Sequence, residues 1–137
     1  MVQEQEGVEE SVNAEAAKVF ILEDNVDARE AITLALKAAL SIDSVQAGTF
    51  DEMTSQEEKV LSCSLAILGI NLGSKRPSGI EAYRWLREHR FHGDIVFLSG
   101  HASEHPLVRQ AHTIGEAKVV SKPVSLERLR LLVKGGA

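Results

Sequence analysis

The chain has 137 residues, 44% of them apolar, with a formal net charge of −5 and a single cysteine. That is enough apolar mass for one core and too much for a disordered chain. One cysteine excludes an internal disulfide and a cysteine-built zinc site, and no apolar run is long enough to span a bilayer as a helix.

The charge is uneven. Residues 1–17, MVQEQEGVEESVNAEAA, hold five acids (Glu4, Glu6, Glu9, Glu10 and Glu15) and no Lys or Arg. Without them, 15 acids face 15 Lys and Arg. The body, residues 18–137, is therefore neutral and lacks the basic balance of a nucleic-acid-binding domain. The first segment is expected to be a flexible acidic extension outside the folded body. The start lacks the basic-then-apolar pattern of a secretory signal, and with a lone Cys63 the chain reads as a cytoplasmic protein with no membrane association. Cys63, just before a strand, is expected to be a small core residue.

From Lys18, short apolar runs alternate with longer helical patterns. KVFIL (18–22) predicts a buried strand. NVDAREAITLALKAAL (25–40) predicts a helix with Asn25 as cap and Asp27 and Glu30 at the positive end of its dipole. Ala28, Ile32, Ala35, Leu36 and Ala39 share one face of it. SVQAG (44–48) is a short strand with a glycine exit. In TFDE (49–52), Thr49 stands three residues before Glu52, the spacing of a capping box, and a polar helix follows to Lys59.

SLAIL (64–68) is the third strand, and GINLGSKRPSG (69–79), with three glycines and Pro77, is a loop. SGIE (78–81) again has capping-box spacing. Its helix groups Ile80, Ala82, Tyr83 and Leu86, and Trp85 lies toward the charged side, flat over its own helix. DIVFLS (94–99) is the fourth strand and GHASEHPLVRQAHTIG (100–115) holds a helix ending at Gly115. His101, His105 and His112 would share a face only if one helix spanned them, and Pro106 starts the helix too late for that. AKVVS (117–121) is the fifth strand. SLERLRLLVK (125–134) is a helix capped by Ser125, with Leu126, Leu129, Leu132 and Val133 as its apolar face.

Five strands alternating with five helices predict an α/β fold, a flavodoxin-like doubly wound five-stranded parallel sheet of order 2-1-3-4-5. Ligands of such sheets bind at the carboxyl ends of the strands, beside the switch point between the first and third. There the sequence places Glu23 and Asp24 after the first strand, Gly69 after the third, Ser99 at the end of the fourth, and Lys122 with Pro123 after the fifth. Singly, each suits a turn or a loop. Jointly, two acids, a hydroxyl and an ammonium surround a strand end that carries no side chain.

VFILEDNVDAR, LAILGINLGSKRPSGIEAYRWLR, IVFLSGHAS and VVSKPVSLERL, in that order and spacing, resemble the receiver domain of two-component response regulators, the CheY type. The resemblance covers residues 18–134. It implies that Glu23 and Asp24 stand where two acids hold Mg²⁺, with the backbone carbonyl of Asn71 completing the metal site. It implies that Ser99 and Lys122 stand where a hydroxyl and an ammonium contact the phosphoryl group. The phosphoacceptor aspartate of the family falls on Gly69. The aromatic switch residue three before the lysine falls on Val119.

Phosphoryl transfer onto a carboxylate needs an oxygen nucleophile in line with the leaving group. Gly69 offers none, and the amide of Asn71 is no substitute. With one carboxylate of the set missing, Mg²⁺ binding is expected to be weak, and no other cofactor is implied. Lys122, without its usual counter-charge, is expected to turn to Glu23 or Asp24. The expected function is a pseudo-receiver in phosphorelay signalling, not an enzyme. It would act through contacts with a histidine kinase, an output domain or another regulator. A homodimer through the fourth helix, fifth strand and fifth helix is the expected self-contact. The alternative is a normal phosphorylatable receiver whose acceptor aspartate has been replaced. A small flavodoxin-like enzyme or nucleotide binder fits less well, because no glycine-rich phosphate loop follows the first strand.

Overall fold

A computed structural model describes residues 18–72, 77–100, 106–115 and 117–134. The acidic segment 1–17 lies outside the described residues, as do His101 and His105. In chain order the elements are β1 (Val19–Leu22), α1 (Val26–Leu40), β2 (Ser44–Ala47), α2 (Phe50–Thr54), α3 (Glu57–Leu61), β3 (Leu65–Gly69), α4 (Gly79–Glu88), β4 (Asp94–Ser99), α5 (Pro106–His112), β5 (Ala117–Ser121) and α6 (Leu126–Val133). The strands form one sheet in the order β2-β1-β3-β4-β5. Every neighbouring pair is parallel.

The sheet is buried on both faces, which is why its strands read as unbroken apolar runs rather than alternating ones. Alternate residues go to opposite sides. Phe20, Leu22, Ala66, Leu68, Ile95 and Phe97 meet Met53, Val60, Leu86 and Ala111 from α2 to α5. Val19, Ile21, Leu65, Ile67, Val96 and Leu98 meet Ile32 and Leu36 of α1 and Leu129 and Leu132 of α6. Cys63 is buried in the first of these clusters, and burial pushes its thiol up to about 11, so it is packing rather than a nucleophile.

The caps follow the sequence. Asn25, Ser78 and Ser125 each accept a backbone N–H of the first turn they precede. At Ser78 the box is complete, with Glu81 reaching back to the Ser78 N–H. Thr49 also caps its helix, but Glu52 turns to the N–H of Gly48 at 2.6 Å instead of closing the box.

Four expectations need correction. The polar helix after Thr49 is two short helices, making six among the described residues. The break has a cause in competing side chains. Ser55 donates to the carbonyl of Glu52, and Gln56 donates to the carbonyls of Glu52 and Gln46. Ala39 is exposed, and only Ile32 and Leu36 of α1 are fully buried. Leu126 is 40% exposed, so the apolar face of α6 rests on Leu129 and Leu132. The helix described before Gly115 spans Pro106–His112 and ends three residues short of that glycine. Trp85 is half-buried, stacked on His89 one turn along at 4.2 Å and edge-on to Phe50, so it does lie over its own helix.

Candidate functional site

The strand registers bring the predicted positions to one end of the sheet. Leu22 pairs with Leu68, Gly69 with Leu98 and Ser99 with Ser121. Glu23 follows β1 and is wholly buried. Its backbone is clamped on both sides: its N–H donates to Ala47 at 3.0 Å, and its carbonyl accepts the Arg29 guanidinium at 2.6 Å. Its carboxylate is held as firmly. Oε2 accepts the N–H of Asn25 at 3.0 Å, and Oε1 lies 2.7 Å from the Lys122 ammonium. That contact is an ion pair; Oε1 receives no directed hydrogen bond.

Lys122 is fixed from behind. Its N–H donates to the carbonyl of Ser99 at 2.8 Å, and the peptide to Pro123 is cis. Its stem lines a small apolar cavity between α1 and α6, with Ala28, Ile32, Leu98 and Leu129. An apolar stem against apolar walls with the ammonium at its end suits a lysine that reaches one charged partner.

Gly69 is the last residue of β3, paired with Leu98, and not the first of a loop. Its φ is not positive, so no left-handed backbone calls for glycine here. What the missing side chain leaves is space, and the neighbour has taken it. A Cβ at 69 would stand 3.1 Å from Glu23 Oε1, 3.2 Å from the Leu22 carbonyl and 3.4 Å from Leu72 Cδ2. The Glu23 carboxylate, just past β1, leans over the end of β3.

The remaining predicted residues divide. Ser99 is buried and Val119 is half-buried against the α2–α5 side of the core. Asp24 and Asn71 are exposed, so the two acids after β1 part company. Mg²⁺ takes hard oxygens in near-octahedral geometry. Here one oxygen of Glu23 faces an ammonium, the other accepts an N–H, and position 69 supplies nothing. Among the described residues, no group of three or more His, Cys, Asp or Glu could hold a metal ion. The donor set does not fit that ion. His112 is exposed at the end of α5, while the other two histidines weighed with it lie outside the described residues.

Three residues shape this site without a clear mark in the sequence. Arg29 sits one turn into α1 and bonds the Glu23 carbonyl. Gly48 makes room for it, since a Cβ there would lie 2.8 Å from Arg29 Nη1. Gly79 lets the first turn of α4 press against the end of β3: a Cβ would collide with the Gly69 carbonyl. Its N–H donates to the carbonyl of Ile70 at 2.8 Å. The only signal for Gly79 was its place in SGIE.

The fold is widely shared. The chemotaxis protein CheY4 of Vibrio cholerae is similar at TM-score 0.72 and 19% identity, over 88% of this chain and 98% of that one. A CheY-like receiver domain protein from Methanospirillum hungatei JF-1 is similar at 0.71 and 20%, over 87% and 91%. The signal receiver domain of a modulated diguanylate cyclase from Desulfovibrio desulfuricans G20 gives 0.73 and 18%, over 87% and 91%. No curated protein sequence matches the chain significantly. The model of the response regulator receiver domain matches residues 19–134, from the first residue of β1 to the last turn of α6. With that match running through the whole sheet, and with the sheet order the resemblance implies, the chain belongs to the response regulator receiver domains.

Proposed function

We propose that this receiver domain signals without phosphorylation at position 69 and acts through protein contacts in a standing conformation. Receiver domains as a class are signalling modules of two-component systems rather than enzymes, and they work with kinases and output domains. The observation that carries the finer reading is the Glu23–Lys122 ion pair at 2.7 Å beside a strand end with no nucleophile. The lysine that would meet a phosphoryl group already has a counter-charge, and the carboxylate that would bind metal already has a cation. Mg²⁺ binding is therefore weak. Val119 supports the same reading, because a valine cannot report the cleft by the ring rotation of an aromatic switch.

The contact surface is the one receivers use most, here α5, β5 and α6. It serves a histidine kinase, an output domain, another regulator or a second copy. The setting is the cytoplasm; among the described residues no helix is long and apolar enough to cross a membrane.

The test is an NMR titration with beryllofluoride and Mg²⁺, which imitates the phosphorylated state. The unaltered chain is expected to show no shift of Ser99, Lys122 or β5 resonances. Gly69→Asp, for which Glu23 Oε1 and the Leu22 carbonyl must each give by a few tenths of an ångström, is expected to respond. A response from the unaltered chain would falsify the proposal.

A further inference from the structure

The space between α1 and α6 is not filled. A cavity of about 180 Å³ lies there, bounded by Ala28, Ala31 and Ala35 of α1, Leu126 and Leu129 of α6, and the stem of Lys122. Its cause is in the sequence. Three alanines stand on one face of α1, where a helix that faces a core usually carries larger side chains. Ala31 is exposed and Leu126 is 40% exposed, so the cavity opens to the surface between the two helices.

An apolar cavity of about 150 Å³ holds one benzene-sized molecule. This one has room for a single ring or a short alkyl chain, and not for the row of side chains by which a helix docks. Its side chains are apolar but for Lys122, whose ammonium lies 2.7 Å from Glu23 Oε1. A polar atom inside would lose its hydration for no partner, so the polar end of a ligand belongs at the mouth. There, Arg130 stands one turn beyond Leu126 in the same row of α6. Arg130 is exposed and has no ion-pair partner among the described residues. Lys134, a further turn along that row, is exposed and unpaired in the same way. Two acids stand close by in sequence. Glu127 precedes Arg130 by three residues but forms no ion pair with it. Asp27 is the second residue of α1, and both helices leave the same end of a parallel sheet, so it sits level with Leu126 rather than with Arg130.

We propose that this cavity is a binding site for a small free amphiphile, one ring or short alkyl chain bearing a single carboxylate. The apolar body lies between α1 and α6, and the carboxylate meets the Arg130 guanidinium at the mouth, a pairing of matched planar groups. Bound there, the body rests on the Lys122 stem and favours its present course toward Glu23. A molecule of this class would then bias the cleft where phosphate does not. That consequence rests on the reading above, whereas the binding does not. A beryllofluoride response from the unaltered chain would end that reading and leave this site untouched.

The experiment is an NMR titration of the full ¹⁵N-labelled chain with 3-phenylpropionate, up to about 10 mM. Saturable shifts are expected at Ala28, Ala31, Ala35, Leu126, Leu129 and Arg130, and at Lys122 through its stem. The uncharged analogue 3-phenylpropanol should bind at the same residues about five-fold more weakly, the value of one exposed charge pair. Arg130→Gln should remove that difference and leave the alcohol unaffected. Ala35→Leu, which fills the cavity, should abolish saturation by both. Ala31→Leu at the mouth serves the same end if circular dichroism shows Ala35→Leu to disturb the fold. Saturable shifts elsewhere, or equal binding of acid and alcohol to the unaltered chain, would overturn the proposal. No saturation at all would also overturn it, and would leave the cavity to a side chain of a protein partner. So would concentration-dependent broadening at Ala31 and Leu126 without the probe, because a second copy would then occupy the groove.

Discussion

Gly69 and Glu23 together explain a residue that neither explains alone. Lys122 is 30% exposed in its side chain and Glu23 is 1% exposed. That buried carboxylate meets the Lys122 ammonium on one oxygen and the Asn25 N–H on the other. Lys122→Met keeps the apolar stem and removes the ammonium, leaving the carboxylate without a counter-charge. Breaking one side of a buried pair costs several kcal/mol, and the partial exposure of Lys122 puts this case near the low end, about 3 kcal/mol. Urea unfolding should show that loss. The double variant Glu23→Gln/Lys122→Met should recover part of it, because no buried charge is then left alone. A double variant no better than Lys122→Met would remove the pair's energetic meaning. The sequence named both partners but left Lys122 a choice between Glu23 and Asp24. Burial decided it: Asp24 is exposed and gains little from a cation, whereas Glu23 is closed off from solvent.

At the scale of elements, the helix starts are where local sequence speaks most plainly. Ser78 donates its hydroxyl to Glu81 Oε1 at 2.6 Å and offers its N–H to the same oxygen at 2.8 Å. The Ser78 hydroxyl, ahead of its N–H, holds the Glu81 carboxyl below the usual carboxylate range. A lowered folded-state pKa stabilises above the unfolded value and ceases to do so as pH falls through the folded one. Ser78→Ala should therefore cost about 1 kcal/mol at neutral pH. The gap from the unaltered chain should narrow as pH drops below the ordinary value of 4.5. Equilibrium denaturation at a series of pH values checks both parts. Caps of this kind were legible because donor and acceptor sit three residues apart. The break between α2 and α3 was not. It depends on Gln56 reaching the carbonyl of Gln46 on β2, ten residues back in the chain, and no local spacing reports that contact. Gly79 was hidden for the same reason, since its constraint is the backbone of a strand ten residues earlier.

On the scale of the whole molecule, one sheet serves two half-cores. Trp85 sits on the α2–α5 side, and Leu36 is fully buried on the α1–α6 side. Because the strands between them belong to both, the halves should unfold together, as small single domains usually do. Leu36→Ala is expected to cost about 3 kcal/mol, typical of a large-to-small change in a packed core. The fluorescence of Trp85 should register that loss at the same midpoint as far-ultraviolet circular dichroism, although the residue lies across the sheet. Separate midpoints would mean two cooperative units. This architecture was the most legible part of the chain, because the strands are bounded by polar or glycine punctuation and four of the six described helices by a capping side chain. The state of the cleft was less so, since it turns on which way one glutamate leans.

The bond from the Gly79 N–H to the carbonyl of Ile70 has a bearing on how the chain could be altered. It fastens together the two mouths of the segment between β3 and α4, at the foot of that segment rather than along it. Whatever is inserted between the mouths changes only the size of a closed ring, and doubling such a ring adds about 0.6 kcal/mol of closure entropy. A peptide tag or a recognition sequence placed between Leu72 and Pro77 would hang from an anchored base. Gly69, Glu23 and Lys122 would keep their places.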